Sequence, residues 1–237
     1  MAVYVISDIH GCTREFRKML ELISFSDYDE MYIIGDAVDR GPDPVGTLQM
    51  IMNDARMQCI YGNHDAMFFR FIPDLIHEIR FPGSLQMNDE LFHWVHRNGG
   101  LTTLDRFLEL GLPACYDIYE FMSRKETYRE VMVGGKRFML CHAGMKEHCY
   151  RGVQIAEVPD SELLWSRIEL DDNPYIDRYL VVGHMPTFVY GDEYEGKIIQ
   201  RSASRTIHID CGCVFGRTLG ALRLDDLQEF YVSSEEI

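Results

Sequence analysis

The segment Gly35-Asp36-Ala37-Val38-Asp39-Arg40-Gly41 directly follows an apolar run over residues 31–34. The run predicts a buried β-strand, and the segment places two carboxylates and a guanidinium at the carboxyl end of that strand. Helical patterns before and after the run predict βαβ units with right-handed crossovers, in which ligands bind beyond the carboxyl ends of the strands. The stretch therefore predicts an α/β fold with a charged site at the strand ends.

Other polar segments follow predicted strands in the same way along the chain. Together with Asp36 they supply carboxylate, amide and imidazole groups sufficient for two divalent cations that share one bridging carboxylate. This mixed nitrogen and oxygen set suits Mn, Fe or Zn better than Ca or Mg. The candidate metal ligands are Asp8, His10, Asp36, Asn63, His142 and His184.

Four further residues fit the chemistry of such a centre. A pair formed by Asp39 and His64 would keep the imidazole protonated as a general acid for a leaving oxygen. Arg40 and Arg167 would hold the oxygens of a phosphate group through bidentate contacts. The aromatic residue Trp165, two positions before Arg167, is interpreted as a packing side chain that positions this arginine.

The composition excludes several classes of function. The chain has 237 residues and a formal net charge of −15, so most of its surface would repel a nucleic-acid duplex. No stretch approaches the roughly 20 apolar residues of a membrane helix, and the first residues lack the basic region of a secretory signal. Seven cysteines without framework-like spacing favour reduced thiols. We therefore expect a cytoplasmic protein with no membrane partner; its oligomeric state is not predicted.

The pattern along the chain changes after the first third. Residues 66–121 carry apolar side chains at helical spacing and predict a helical insertion, whose core includes Phe68 and Trp94. Two apolar runs flank Gly134-Gly135, which is a strong signal for a two-residue hairpin turn, and further strand patterns follow to residue 232. We predict a single domain over residues 1–237, built as an α/β fold with this helical insertion.

The motifs together resemble those of the metal-dependent phosphoprotein phosphatase family, in particular its small bacterial and phage serine/threonine phosphatases. The resemblance covers about residues 3–224 and includes a calcineurin-like fold, a central β-sandwich flanked by helices. Its segments occur in family order: Asp8-Ile9-His10-Gly11, Gly35-Asp36-Ala37-Val38-Asp39-Arg40-Gly41, Gly62-Asn63-His64-Asp65, His142-Ala143-Gly144, Trp165-Ser166-Arg167, Gly183-His184 and Ile209-Asp210-Cys211-Gly212.

The resemblance implies a role for each site residue. The first metal would bind Asp8, His10 and Asp36; the second would bind Asp36, Asn63, His142 and His184. His64 would be the general acid oriented by Asp39, and Arg40 and Arg167 would bind phosphate. The implied reaction is phosphomonoester hydrolysis by a metal-bridging hydroxide, with two Mn²⁺ ions as the expected cofactors and a phosphoprotein or a small phosphorylated molecule as substrate.

One position departs from the family pattern. Tyr61 stands immediately before Gly62-Asn63, where the family's phosphatases carry arginine. One phosphate-binding guanidinium is therefore missing, although a tyrosine hydroxyl can still donate one hydrogen bond.

Two alternatives to a protein phosphatase remain at this point. The symmetrical diadenosine tetraphosphatases share the scaffold, and Asp210-Cys211-Gly212-Cys213 followed by Gly216-Arg217-Thr218-Leu219 resembles their C-terminal pattern. Against them stand the presence of Asp39, which those enzymes tend to lack, and the shorter chain. An inactive metal-binding scaffold is the second alternative, and the complete ligand set argues against it. The sequence thus favours a protein phosphatase.

Overall fold

The computed structural model describes residues 1–124, 126–149 and 152–235. Its strands form two mixed sheets of five strands each, ordered β10-β9-β1-β2-β3 and β4-β5-β6-β8-β7. The strands are β1 (Val3–Ile6), β2 (Glu30–Ile34), β3 (Met57–Ile60), β4 (Tyr128–Val133), β5 (Lys136–Cys141), β6 (Tyr179–Val182), β7 (Ile199–Arg201), β8 (Thr206–His208), β9 (Thr218–Arg223) and β10 (Gln228–Ser233).

The two sheets pack against each other as a sandwich. Successive side chains of a strand point to opposite faces, and in β1 Val3 and Val5 point into the core between the sheets. There they meet Phe138 and Leu140 of β5, which belongs to the other sheet. The predicted calcineurin-like β-sandwich is therefore confirmed.

Helices cover the first sheet on its outer face, and a larger group of helices follows β3. The helices are α1 (Thr13–Leu22), α2 (Pro44–Met52), α3 (Asn63–Arg80), α4 (Asp89–Phe92), α5 (Leu101–Leu108), α6 (Leu112–Ser123) and α7 (Asp160–Trp165). A π-helical turn, His93–Arg97, continues α4. No helix in the described ranges is long and apolar enough to cross a membrane.

The connections β1-α1-β2 and β2-α2-β3 join parallel neighbours. Local chemistry fixes the start of α2, because the Asp43 carboxylate accepts a hydrogen bond from the amide of Gly46 at 3.0 Å and proline occupies the first helical position. On the outer face of the sheet, Phe16 and Met19 of α1 pack against Ile6 of β1. These units direct the ends of β1, β2 and β3 to one edge.

The helical part agrees with the predicted insertion in character but extends beyond its bounds. Its helices begin at Asn63 and end at Ser123, with α3 as the longest at 18 residues. Trp94 lies in their core, stacked on Phe68 and Phe71 at ring-centroid distances of 5.9 and 5.4 Å. In the second sheet, Gly134 and Gly135 form the expected turn between β4 and β5, with φ angles of 55° and 77°. The single-domain organisation stays a prediction.

Candidate metal centre

Five polar segments meet where the strands of the two sheets end. Asp8 follows β1, Asp36 follows β2 and Asn63 begins α3 after β3, while His142 and His184 follow β5 and β6. Backbone hydrogen bonds tie the first two loops together, from the amide of Asp8 to Gly35 O at 3.1 Å and from that of His10 to Asp36 O at 2.9 Å. The amide of Gly183 likewise donates to His142 O at 2.8 Å.

These loops hold an unusual concentration of left-handed backbone. Positive φ is uncommon for residues other than glycine and costs roughly 1–3 kcal/mol each when the surrounding structure imposes it. Within the described residues, nine non-glycine residues have positive φ, and six of them are candidate site residues. These six are Asp8 (50°), His10 (45°), Asp36 (56°), Asp39 (70°), Arg40 (65°) and His184 (67°).

The candidate ligands form two groups that share Asp36. In the first ligand group (Asp8, His10 and Asp36), His10 Nε2 lies 3.5 Å from Asp36 Oδ2 and 4.0 Å from Asp8 Oδ1. In the second ligand group (Asp36, Asn63, His142 and His184), His142 Nε2 lies 3.4 Å from the same Asp36 Oδ2. Asn63 Oδ1 lies 2.9 Å from His142 Nε2 and 3.0 Å from His184 Nδ1.

Hydrogen bonds from the far side of two imidazoles orient them for metal binding. His10 Nδ1 donates to Val38 O at 2.8 Å, and His142 Nδ1 donates to Ile34 O at 3.0 Å. In each ring Nε2 therefore faces the centre, an arrangement typical of metal-binding histidines. The donor set, its convergence on Asp36 and these ring orientations fit a pair of divalent cations.

Burial and charge shift the pKa values of the ligands in opposite directions. Burial lowers the pKa of His142, but the charge of Asp36 and its hydrogen bond outweigh this and raise it to about 10. Burial also raises the pKa of Asp36, yet the charges of His142 and His64 hold it well below its usual value. Burial raises the pKa of Asp8 to about 6 against the opposing charge of His142, and lowers that of His184 to about 3. The centre thus favours positive charge beside Asp36.

The candidate general acid lies at the edge of the first ligand group. His64 Nδ1 is 2.8 Å from Asp39 Oδ2, and both side chains are buried. His64 Nε2 lies 4.0 Å from Asp36 Oδ2, so it is also close enough to His10 and Asp36 to belong to a metal-binding cluster. The bond to Asp39 favours a proton on Nδ1, which leaves Nε2 as the atom that faces the centre.

The two candidate phosphate-binding arginines are exposed at the centre's margin. Arg40 contacts both His10 Nε2 and His64 Nε2 at 2.9 Å through its two terminal nitrogens. Arg167 follows α7, and after burial and His142 its charge is among the causes that lower the pKa of His184. One arginine therefore lies beside each ligand group.

Tyr61 does not supply the missing phosphate donor. Its hydroxyl donates to Met122 O at 2.8 Å, so the expectation that it has a free hydrogen bond for substrate is corrected. The contact fastens the end of β3 to the end of α6 instead.

The sequence analysis assigned no role in the site to three residues, of which the first, Asp65, lies in a quoted motif. Asp65 accepts from the amides of Asp36 at 2.8 Å, Ala37 at 3.1 Å and Gly62 at 3.0 Å, and so fixes the Asp36 loop to the start of α3. The available signal was an acidic residue at the third position of a helix, where it caps backbone amides.

The contacts of Trp94 and Thr103 with the site were not predicted either, because both residues lie in the helical part. Trp94 Nε1 donates to Asp39 Oδ2 at 2.8 Å, and Thr103 Oγ1 donates to Asp39 Oδ1 at 2.6 Å. Trp94 therefore does more than fill the helical core, since it also positions the partner of His64. Nothing in the local sequence around Trp94 signals this contact.

A family model described as "Calcineurin-like phosphoesterase" matches residues 1–211. The chain belongs to the calcineurin-like phosphoesterases. It is accordingly a metal-dependent hydrolase. The resemblance to phosphoprotein phosphatases holds for this wider family and for the fold, which a protein serine/threonine phosphatase from Saccharomyces cerevisiae shares.

Curated relatives of this phosphoesterase that align over nearly the whole chain are named symmetrical bis(5′-nucleosyl)-tetraphosphatases. The one from Nitrosospira multiformis is 24% identical over 97% of this chain and 95% of its own length. A relative from a Geobacillus species, 26% identical over 99% of this chain and 95% of its own, is named an asymmetrical bis(5′-nucleosyl)-tetraphosphatase. A crystal structure of a proposed diadenosine tetraphosphatase has the same fold, with a TM-score of 0.67, 18% identity and coverage of 100% of this chain and 95% of that one.

The prediction of a serine/threonine protein phosphatase acting on phosphoproteins is wrong, because these relatives are tetraphosphatases. The motifs misled because they serve the metal centre and the acid, which hydrolysis of any phosphate ester needs, and so they carry little information about the substrate. The argument from chain length also fails, since the alignments cover almost all of the relatives.

Proposed function

We propose that this phosphoesterase hydrolyses dinucleoside tetraphosphates symmetrically, to two nucleoside diphosphates. The observation that carries the proposal is the arrangement of two ligand groups around the shared Asp36 with the His64–Asp39 pair at their edge. The names of the relatives support the substrate class, and the match of residues 210–219 to the symmetrical enzymes supports the position of cleavage.

Each metal would be held by one ligand group, with Asp36 in both. Mn²⁺ is the proposed native ion, with Fe or Zn as the other metals that the mixed ligand set suits. When bound, two divalent cations neutralise phosphate charge and lower the pKa of a water molecule so that hydroxide forms at neutral pH. Symmetrical hydrolysis would form one P–O bond to the oxygen of water and break the bridging P–O bond at the middle of the tetraphosphate, which releases two nucleoside diphosphates.

His64 supplies the proton that the leaving group needs. As the bridging bond breaks, Nε2 of His64 would protonate the departing oxygen of the nucleoside diphosphate. Asp39 keeps the ring in the required orientation by accepting a hydrogen bond from Nδ1, and both side chains are buried. Trp94 and Thr103 hold Asp39 in turn.

Arg40 and Arg167 bind the phosphate oxygens that surround the reacting phosphorus. Arg40 donates to two imidazoles in this structure, and metal ligation through His10 Nε2 would remove one of these acceptors. The guanidinium then has donors for the substrate, and its planar fork matches two phosphate oxygens. A tetraphosphate chain carries several such oxygens, so two arginines at separate ligand groups suit it well.

The test is product identification with purified protein, Mn²⁺ and diadenosine tetraphosphate. Symmetrical hydrolysis gives ADP as the sole nucleotide product, whereas asymmetrical hydrolysis gives equal amounts of ATP and AMP. Equal ATP and AMP would replace the symmetrical proposal with the asymmetrical one that the Geobacillus relative's name suggests. Intact substrate in the presence of bound metal would overturn both.

A further inference from the structure

Two exposed aromatic rings lie directly beside the metal centre, one next to each ligand group. Exposed apolar side chains are common on protein surfaces and carry no meaning singly. Phe215 and Trp165 differ from the others in position, because each contacts a residue of the centre. Their exposed fractions are 45% and 47%.

The Phe215 ring lies beside the first ligand group. The Arg40 guanidinium carbon lies 5.4 Å from its centroid, and the same guanidinium contacts His10 and His64. Phe188 packs edge-on against Phe215 at 5.9 Å. Arg217, which is ion-paired with Glu195, lies 5.6 Å from the Phe188 centroid, so each ring of this aromatic pair has a guanidinium beside it.

The backbone holds Phe215 in a fixed turn. It ends the short 3₁₀ helix Cys213–Phe215, which stands between Gly212 and Gly216, both left-handed at φ 75°. A Cβ atom at Gly212 would lie 2.9 Å from the Phe188 ring, so the turn packs too closely on Phe188 for a larger residue. The platform is thus preformed.

The Trp165 ring lies beside the second ligand group. It ends α7 and packs edge-on against the His184 ring, with centroids 6.3 Å apart and planes at 82°. Arg167, two residues further along the chain, is the phosphate-binding candidate on this side. The interpretation of Trp165 as a packing side chain is incomplete, since nearly half of it is exposed.

We propose that Phe215 and Trp165 are two nucleobase-stacking subsites that hold the two ends of a dinucleoside tetraphosphate. The inference rests on the proposed function and adds to it the residues that recognise the nucleosides. Each base has an aromatic face, and stacking on an exposed ring is favourable whatever the base. Each subsite pairs a ring with an arginine, so base and phosphate are held together. A substrate with identical halves suits two such subsites around one reacting centre.

The first measurement compares diadenosine tetraphosphate with dimethyl tetraphosphate, which keeps the phosphate chain and both terminal esters but has no bases. In Phe215→Leu and in Trp165→Leu, kcat/KM for diadenosine tetraphosphate divided by kcat/KM for dimethyl tetraphosphate should fall roughly 10-fold or more, as the loss of one stacked base predicts. Phe81→Leu is the matched control, because Phe81 is an exposed phenylalanine at the far end of α3, about 27 Å along the helix from Asn63. Equal losses on both substrates, or no loss, would overturn the inference.

A second measurement needs no turnover, and it separates this inference from the proposed function. Calorimetric titration of the metal-loaded protein with ADP should find two sites per chain in the wild type and in Phe81→Leu, but one in each of the other variants. Inorganic diphosphate should not reproduce this pattern. In the wild type ADP should also quench the exposed Trp165, which shares the chain's tryptophan emission only with the buried Trp94.

The outcomes distinguish the two proposals. If diadenosine tetraphosphate stays intact while ADP binds at two sites that require Phe215 and Trp165, the subsites stand and the proposed reaction fails. If the substrate is cleaved to ADP but neither ADP binding nor the kcat/KM ratio changes in either variant, the reaction stands and the subsites fail. If neither cleavage nor base-dependent binding occurs, both fail.

Discussion

The loops at the strand ends and the helical part from Asn63 to Ser123 serve the same centre by different physical means. Six non-glycine residues of the loops, four of them candidate metal ligands, have left-handed backbone, and hydrogen bonds between the loops impose this geometry. The helical part supplies Asn63 and His64 from the first turn of α3, and it reaches Asp39 through the packed side chains of Trp94 and Thr103. Backbone conformation thus positions most of the candidate ligands, and packing in the helical part helps to hold Asp39, the partner of the acid.

The helical part makes this connection through Trp94. The indole is 1% exposed and packs on Phe68 and Phe71, while its Nε1 donates to Asp39. A buried carboxylate needs such donors, because an unsatisfied one carries a desolvation cost. Changes in the loops should then affect metal content, whereas changes at Trp94, in the core of the helical part, should affect the acid alone.

The largest effect is expected from Asp36→Asn, which weakens both ligand groups at once. We expect loss of both metals and a fall in kcat/KM of roughly 10³-fold or more, because the metals supply several kcal/mol of charge stabilisation. Metal analysis of the purified variant, with the exposed Asp226→Asn as the control, checks this. Full metal content in Asp36→Asn would show that Asp36 is not shared by the two sites.

His64→Asn should lower kcat by roughly 10²- to 10⁴-fold, the range for loss of a general acid, with both metals retained. The loss should be greater for an alkyl phosphate, whose departing oxygen is far more basic than that of a nucleoside diphosphate. His64 also lies within reach of the first ligand group, so loss of one metal equivalent in this variant would make His64 a ligand and reject the acid role.

Trp94→Phe keeps a ring in the helical core and removes the donor to Asp39. We expect a fall in kcat of roughly 10-fold and a loss of about 2 kcal/mol in the free energy of unfolding, typical for a hydrogen bond to a charged group. Phe68→Leu is the matched control, since Phe68 touches the same core without contacting Asp39, and it should lower stability alone. If both variants keep full kcat, the helical part does not position the acid.

A change of pH should have the smallest effect on the activity of the protein once it is saturated with metal, because pH acts on the affinity for the metal. The pKa of His142 is raised to about 10, so without metal its imidazole is protonated at pH 8, and ligation must displace that proton. Mn²⁺ affinity should therefore rise about 10-fold per pH unit below 10. Titration calorimetry in buffers of different ionisation enthalpy should find about one proton released at pH 8; no release would place the metal elsewhere.

The convergence of the candidate metal ligands could be predicted from sequence, because their segments follow strands and strand ends in such folds meet at one edge. Asp39 and His64 could be paired for the same reason. Spacing alone does not distinguish a sandwich from an open sheet, since that choice depends on long-range pairing. The position of β9 beside β1 is an example.

The contacts that sequence reasoning missed depend on tertiary packing. Trp94 and Thr103 lie 55 and 64 positions from Asp39 along the chain, and only the packing of π-helical turn and α5 brings them to it. The sequence shows at Tyr61 only that a guanidinium is missing, whereas the orientation of the tyrosine toward Met122 depends on the packing of the end of α6. The motifs also favoured the wrong substrate class, because the residues of a metal centre carry little information about the substrate.

The pairing of β1 with β9 also has a consequence for biosynthesis. Tyr4 pairs with Arg223 and Ile6 with Ala221. The strand that precedes Asp8 therefore stays unpaired on this edge until residues more than 200 positions later have been synthesised. Chains lengthen at about 5–20 residues per second, and until then β1 exposes an edge that invites pairing with other chains. A nascent chain that stops before β9 therefore has every candidate metal ligand in its sequence but an open strand edge, so completion of the first sheet depends on the last quarter of the chain.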